Sequence, residues 1–303
     1  MSCCAAIHWL GAHAQSSCNE SSGEDEGMSI ITFWSPFPAT GCSSSTLIGA
    51  YALALQYRTR VLLVNTGLAG EGIEASLFKD EKLSSEVLFS FEENGLDAVE
   101  RLFISGNLSK HNLRDYTKPL LKDRLDLLTG SQNRAERSAG FKEEMLKKLL
   151  HTANQCYDLI LLDAPHDHVD TPLMLREADC VVAVLNQDMR NLETFFGQIM
   201  PDQLREKKVH VLINKYDPQS RATLSNIKRG FKYQGSLSAI PYTTGCLDAM
   251  NRRDVARYLQ LEIQGDSKHA RKGSFAAGLG ELARLMMDGA EMRTVLKRLE
   301  RGA

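Results

Sequence analysis

The sequence predicts an α/β protein built on a doubly wound, mostly parallel sheet with helices on both faces. Three observations carry this. Continuous apolar runs of strand length recur along the chain, stretches with helical spacing separate them, and polar residues sit at the C-terminal end of almost every run. Strands that are apolar throughout are buried on both faces, as in parallel sheets covered by helices. Strands alternating with helices imply right-handed crossovers, with ligand-binding residues beyond the C-terminal strand ends.

In chain order, residues 1–27 show no sustained periodicity and end in a Ser/Gly/acidic cluster, so they are expected to be disordered. They lack the basic start and long apolar centre of a secretory signal. Met28 stands directly before the first strand, so translation from Met28 is an alternative to Met1. Ile30 to Trp34 reads as a buried strand, Ser35 to Ser45 as a small-residue loop and Thr46 to Tyr57 as a helix. This is the order of a phosphate-binding loop, in which backbone N–H groups face the phosphates and a lysine reaches the outer ones. The lysine is missing. Val61 to Asn65 is a second strand, followed by helical periodicity at Leu83 to Phe89 and Leu113 to Leu121. Leu125 to Gly130 is a short strand stopped by glycine, and Ala139 to Cys156 is an amphipathic helix with Phe141, Met145, Leu149 and Leu150 on one face. Tyr157 to Asp163, Cys180 to Asn186, Val209 to Asn214 and Ser236 to Pro241 repeat the buried-strand pattern. The expected organisation is a disordered extension (1–27), one α/β domain (28–262) and a C-terminal helical segment (263–303).

Composition narrows the class. A chain of 303 residues with 43% hydrophobic and 24% charged residues can bury a full core. No run approaches the roughly 18 apolar residues of a membrane span, so a membrane could be met only from its surface. The seven cysteines are odd in number and lack C-x-x-C spacing, in a chain too large to need disulfide staples, which fits a reducing cytoplasm. Residues 201–303 hold 19 Lys and Arg against 11 Asp and Glu, while the whole chain has a net charge of -2. A basic third of this kind is the pattern of a surface for DNA or anionic lipid, or of solvated helices with their charges spread around.

The order of elements and several motifs resemble the MinD/ParA group of deviant P-loop ATPases, including its CpaE/TadZ-like branch, from about Met28 to about Leu261. The group's loop of the form K-G-G-x-G-K-[ST]-T is matched by Ala39-Thr40-Gly41-Cys42-Ser43-Ser44-Ser45-Thr46. Val61 to Asn65, Leu127 to Gly130, Tyr157 to Pro165, Ile213 to Tyr216 and the final strand with Ile240-Pro241 fall in the matching order. The resemblance implies a P-loop fold and ATP or ADP with Mg as the expected ligand. It also assigns vestigial nucleotide contacts to Thr40, Gly41, Cys42, Ser43, Ser44, Ser45 and Thr46, a metal-linked carboxylate to Asp163 and a base contact to Asn214.

The departures weigh against catalysis. The lysine that crosses to a dimer partner's nucleotide is matched by Ala39, and the lysine that holds the outer phosphates by Ser44. The Asp-x-Asp after the second strand is matched by Asn65-Thr66-Gly67. Phosphoryl transfer rests on positioning and stabilising charge, so these changes remove two cations and two carboxylates from the centre. Each lost charge-assisted phosphate contact costs about 1.5–3 kcal/mol, which would leave any nucleotide weakly bound. No catalytic residue is assigned.

Other signals have a plainer reading beside the functional one. Cys42 could be an activated thiol at a helix start, but a small buried cysteine is commoner. His166, Asp167, His168 and Asp170 have metal-ligand chemistry, but one short loop seldom closes a metal site, and none is assigned. Phe275 to Leu299 reads as an amphipathic helix for anionic lipid or, lacking bulky aromatics and interrupted by acids, for packing on its own domain or a partner. Lys228, Arg229, Lys232, Arg252, Arg253 and Arg257 would serve a DNA surface or a solvated face. The expected function is a degenerate, non-hydrolysing scaffold for positioning or assembly, of pilus, secretion or cell-pole type, cytoplasmic or peripheral at a membrane or pole. Its expected partner is a protein, with a homodimer as one form. The alternatives are a genuine partitioning or septum-placement ATPase with an unusual loop, and a nonspecific DNA-binding accessory factor.

Overall fold

The computed structural model describes residues 29–78, 94–132, 138–164, 166, 170–265 and 273–290. The expectations for residues 1–27, for Leu83 to Phe89 and for the C-terminal helix beyond residue 290 lie outside the described residues. Eight strands form one sheet: β1 (Ile30–Trp34), β2 (Val61–Asn65), β3 (Lys118–Leu121), β4 (Leu125–Leu128), β5 (Leu159–Asp163), β6 (Cys180–Leu185), β7 (Lys208–Tyr216) and β8 (Ser236–Pro241). Their spatial order is β3-β4-β2-β5-β1-β6-β7-β8, and every pairing is parallel except β3 with β4. The doubly wound, mostly parallel sheet expected from the apolar runs is therefore present.

Successive strand residues point to opposite faces, so each strand feeds two cores. Ile30, Leu62, Leu128, Ile160 and Val181 join one core with α2 (Leu96–Ile104), α3 (Ala139–Asn154), α4 (Thr171–Glu177) and α7 (Leu224–Gly230). The short helices α5 (Met189–Thr194) and α6 (Met200–Gln203) cover the same face. Ile31, Leu63, Leu127, Leu161 and Val182 join the other core with α1 (Cys42–Gln56), α8 (Thr244–Asn251), α9 (Val255–Gly265) and α10 (Phe275–Gly289). α1 is enclosed by the sheet, α9 and α10, which explains why Leu47 to Ala54 are all buried. α10 buries Phe275, Leu279, Leu282 and Met286 against α1 and β8, so this part of the amphipathic C-terminal segment packs on its own domain.

Two expectations are corrected. Leu113 to Leu121 is not helical: a single 3-10 turn (Leu113–Tyr116) leads into β3. Pro119 explains the change, because it lacks an N–H, disfavours helix at Lys118 and is tolerated on an edge strand such as β3. α1 begins at Cys42 and not at Thr46. Gly41 adopts a left-handed φ of 82°, which turns the chain straight into the helix and winds up Cys42 to Ser45.

On the α10 side of the sheet, His210 of β7 and Ser238 of β8 form a buried pair, Nε2 to Oγ 2.7 Å, while His210 Nδ1 has no partner. Burial, with a smaller contribution from Arg284, pushes the imidazole pKa down to about 4. The unfolded chain then binds more protons than the folded one between about pH 4 and 6.5. Stability from this group is complete above about pH 6.5 and is lost as pH falls toward 4. A shift of this size is worth about 3 kcal/mol at most. In urea titrations at several pH values, His210→Gln is expected to lose the acid-side destabilisation that the wild-type imidazole causes; an unchanged pH dependence would show that His210 is not the responsible group.

Candidate functional site

The polar ends of β1, β2, β5 and β7 meet at one end of the sheet, as the sequence led one to expect. Register fixes the central pair: Asp163 stands opposite Phe33 of β1 on one side and Asn65 of β2 on the other. The loop from Ser35 to Gly41 leaves β1 and feeds α1 directly above Asp163. Of the sequence-assigned residues, Thr40 to Thr46, Asp163 and Asn214 all gather here, with Thr40, Ser45, Thr46, Asp163 and Asn214 buried.

The loop is tied down by β7. Asn214 Nδ2 donates to Thr40 O at 2.8 Å and to Gly41 O at 3.4 Å. A Cβ on Gly41 would lie 2.4 Å from that same nitrogen, so the close approach and the positive φ both require glycine. Lys215 adds a third tie, Nζ to Ala39 O at 3.3 Å, and Ala39 itself has φ 58°. Thus one cation does reach the loop rim, from a strand whose Asn-Lys pair was noted in the sequence only for its asparagine.

Asp163 is met by the loop's own side chains. Thr46 Oγ1 shares its hydrogen between Cys42 O, 2.9 Å, and Asp163 Oδ1, 3.2 Å. The Ser43 hydroxyl and the Cys42 thiol also lie beside the carboxylate and favour its charged form. Burial outweighs these three donors and raises the Asp163 pKa to about 6. Burial and the Asp163 charge in turn push the Cys42 thiol well up, so Cys42 is not an activated nucleophile. Ser45, matched by the resemblance to a metal-side hydroxyl, has its Oγ buried with no partner. Its N–H is used inside α1, donating to Gly41 O at 2.9 Å.

Asn65 points away from Asp163. Its Nδ2 donates to Glu74 Oε1 at 2.7 Å and its Oδ1 accepts from Gly67 N at 3.0 Å. Glu74, buried to 6% exposure, also accepts from Gly130 N at 2.7 Å and Gly70 N at 2.9 Å. Sequence reading missed Glu74. The only signal was an acid within the glycine-rich Leu68-Ala-Gly-Glu-Gly-Ile-Glu74, which reads as an ordinary loop.

The remaining assignments separate. Among the described residues no cluster of three or more His, Cys, Asp or Glu could hold a metal. His166 lines a cleft of about 980 Å³ with Trp34, Pro36 and Arg205, on the sheet face away from α1, and Asp170 pairs with Lys142 at 2.9 Å. Asp167 and His168 lie outside the described residues. The six basic residues divide between the two helical layers. Lys228, Arg229 and Lys232 belong to α7 and its exit, packed through Ile227 and Phe231 on one face. Arg252, Arg253 and Arg257 belong to the α8–α9 turn and α9, packed through Cys246 and Val255 on the other.

No protein-family model matches the chain, and no curated protein matches it. Solved structures do. A ParA family ATPase from Chlorobium tepidum TLS superposes with a TM-score of 0.60 at 18% identity, over 85% of this chain and 99% of that one. The septum site-determining protein MinD from Pyrococcus horikoshii OT3, complexed with Mg-ADP, gives 0.59 at 15% identity, over 89% and 100%. The MinC:MinD cell division complex of Aquifex aeolicus gives 0.57 at 17% identity, over 86% and 96%. The chain thus has the ParA/MinD-type P-loop NTPase fold. At its loop Ala39 and Ser44 bring no cation, Thr46 bonds Asp163 and Asn65 bonds Glu74.

A carboxylate whose pKa is raised on folding holds its proton better folded than unfolded. Asp163 therefore contributes stability that is complete below about pH 4, is lost as pH rises through 6, and leaves a cost of up to about 3 kcal/mol at pH 8. Asp163→Asn is expected to raise stability at pH 8 by about 1–3 kcal/mol and to change it little at pH 4. Equal effects at both pH values in denaturant titrations would contradict this.

Proposed function

We propose that the protein is a positioning or assembly scaffold built on a ParA/MinD-type fold, one that does not hydrolyse ATP. The observation that carries this reading is the closure of the loop on Asp163: Cys42, Ser43 and Thr46 meet the carboxylate that the resemblance assigns to a metal. Catalysis of phosphoryl transfer needs charge held where the transition state develops. Here those positions carry Ala39, Ser44, Asn65 and Gly67, and Lys215 is held on a backbone carbonyl at the rim. The sheet, by contrast, is complete. A fold kept intact without its reactive charge supports a role in which surfaces, and not turnover, are used.

On this reading the partner is a protein, or a second copy of the chain associating without nucleotide, and the chain works in the cytoplasm or at a membrane surface or pole. Among the described residues no helix is long and apolar enough to cross a membrane. A DNA-binding role is less well supported, since the basic residues divide between the two faces of the sheet.

Purified protein with Mg-ATP is expected to release no phosphate above the background of an Asp163→Ala control. The double variant Ala39→Lys, Ser44→Lys is expected to stay inactive and to gain less than about tenfold in nucleotide affinity, because lysines alone do not restore carboxylates at positions 65 and 67. Wild-type turnover that disappears in the Asp163→Ala control would overturn the proposal.

A further inference from the structure

The segment that follows β2 lies across the start of α1 and is anchored at four points. Gly67 to Ala69 run along Gly130 and Ser131, with Ser131 N donating to Gly67 O at 3.1 Å and Ala69 N to Ser131 O at 3.0 Å. Ile73 is buried in the α1-side core. Glu74 gathers Asn65 Nδ2, Gly70 N and Gly130 N within 2.9 Å. At the far end, the Phe78 ring receives Lys118 Nζ at 5.1 Å from its centre. Between these anchors Gly72 comes down onto the helix start: a Cβ built there would sit 3.1 Å from Ser43 Oγ and 3.5 Å from Asp163 Oδ2.

We infer that residues 66–78 form a strap seated across the N-terminal end of α1, latched by the Glu74 carboxylate, and that this strap holds the loop and helix start in one closed arrangement without any ligand. The inference deepens the scaffold reading and rests on it in one respect, that the loop end of the sheet is ordered by the chain itself. A buried carboxylate that accepts two backbone N–H groups and a side-chain amide is the strongest tie available to a loop with little apolar surface. Gly130 shows how closely the strap is seated, since a Cβ there would lie 2.5 Å from Gly67 O and 2.7 Å from Leu68 C. In the first turn of α1 the Ser45 Oγ is buried without a partner. An anion approaching that turn would first have to lift Gly72. Glu74 acts on the loop only through Asn65, Gly70 and Gly130, and is a positioning residue.

The test is a cross-link. Built Cβ and Ser43 Cβ are 3.5 Å apart at the Gly72–Ser43 contact, at the near edge of disulfide range. In a Cys42→Ser background, Ser43→Cys with Gly72→Cys is expected to join in most molecules under mild oxidation without nucleotide, read by peptide mass before and after reduction. Adding Glu74→Ala is expected to slow cross-linking at least about tenfold. In chains without the engineered pair, the same change should speed amide exchange in residues 66–77 and leave α9 unchanged. Gly130→Ala, which pushes the strap from its other side, should act alike and stands in if Glu74→Ala does not fold. Because Gly72 has φ 58°, where any side chain is strained, the exchange measurement decides: amide exchange in residues 66–77 unmoved by both Glu74→Ala and Gly130→Ala would overturn the inference. Because no nucleotide is present, either result is independent of whether ATP is hydrolysed.

Discussion

The contact between Asp163 and the start of α1 is the constraint on which the rest of this site depends. A buried carboxylate without a neighbouring cation is costly, and burial alone would drive its pKa far up. Three donors from one turn, Cys42, Ser43 and Thr46, offset that cost, but only because α1 begins early enough to bring them over the strand end. The early start in turn needs the left-handed Gly41, and Gly41 fits only because it has no Cβ to meet Asn214. Four strands thus contribute to one local bargain: β1 supplies the loop, β5 the carboxylate, β7 the tie and β2 the strap that lies over it.

Where backbone N–H groups at a helix start are free, they form an anion site. Here the Ser45 N–H makes the first bond within α1, to Gly41 O, no lysine stands at position 39 or 44, and the Thr46 hydroxyl turns inward to Asp163. The missing lysines and the inward turn are consistent with each other. Asp163 and His210 also pull stability in opposite directions between about pH 4 and 6, so wild-type acid stability is expected to be flatter than either group would give alone.

Much of the fold was legible in the sequence because its strands are apolar on both faces, which leaves few other arrangements. β1, β2, β4, β5, β6, β7 and β8 were all recognised from their runs, and the gathering of Thr40 to Thr46, Asp163 and Asn214 followed from their place at strand ends. β3 was not legible: leucines at 113, 120 and 121 fit a helical period, and only pairing with β4 makes Lys118 to Leu121 a strand. The helix start was misplaced because serines and a cysteine read as loop residues until their partner, Asp163, is known to lie 117 residues away from Thr46. Glu74 was invisible for the same reason, since its donors come from Asn65, Gly70 and Gly130, and an acid in a glycine-rich stretch gives no local sign of burial.

The most direct measurement is a titration of the 15N-labelled protein with Mg-ATP, following the amide signals of Gly41 to Thr46. The account predicts no saturable, site-specific shift at nucleotide concentrations up to the millimolar range. Saturable shifts of these amides at micromolar nucleotide would mean that the loop opens to receive phosphate, and would contradict it.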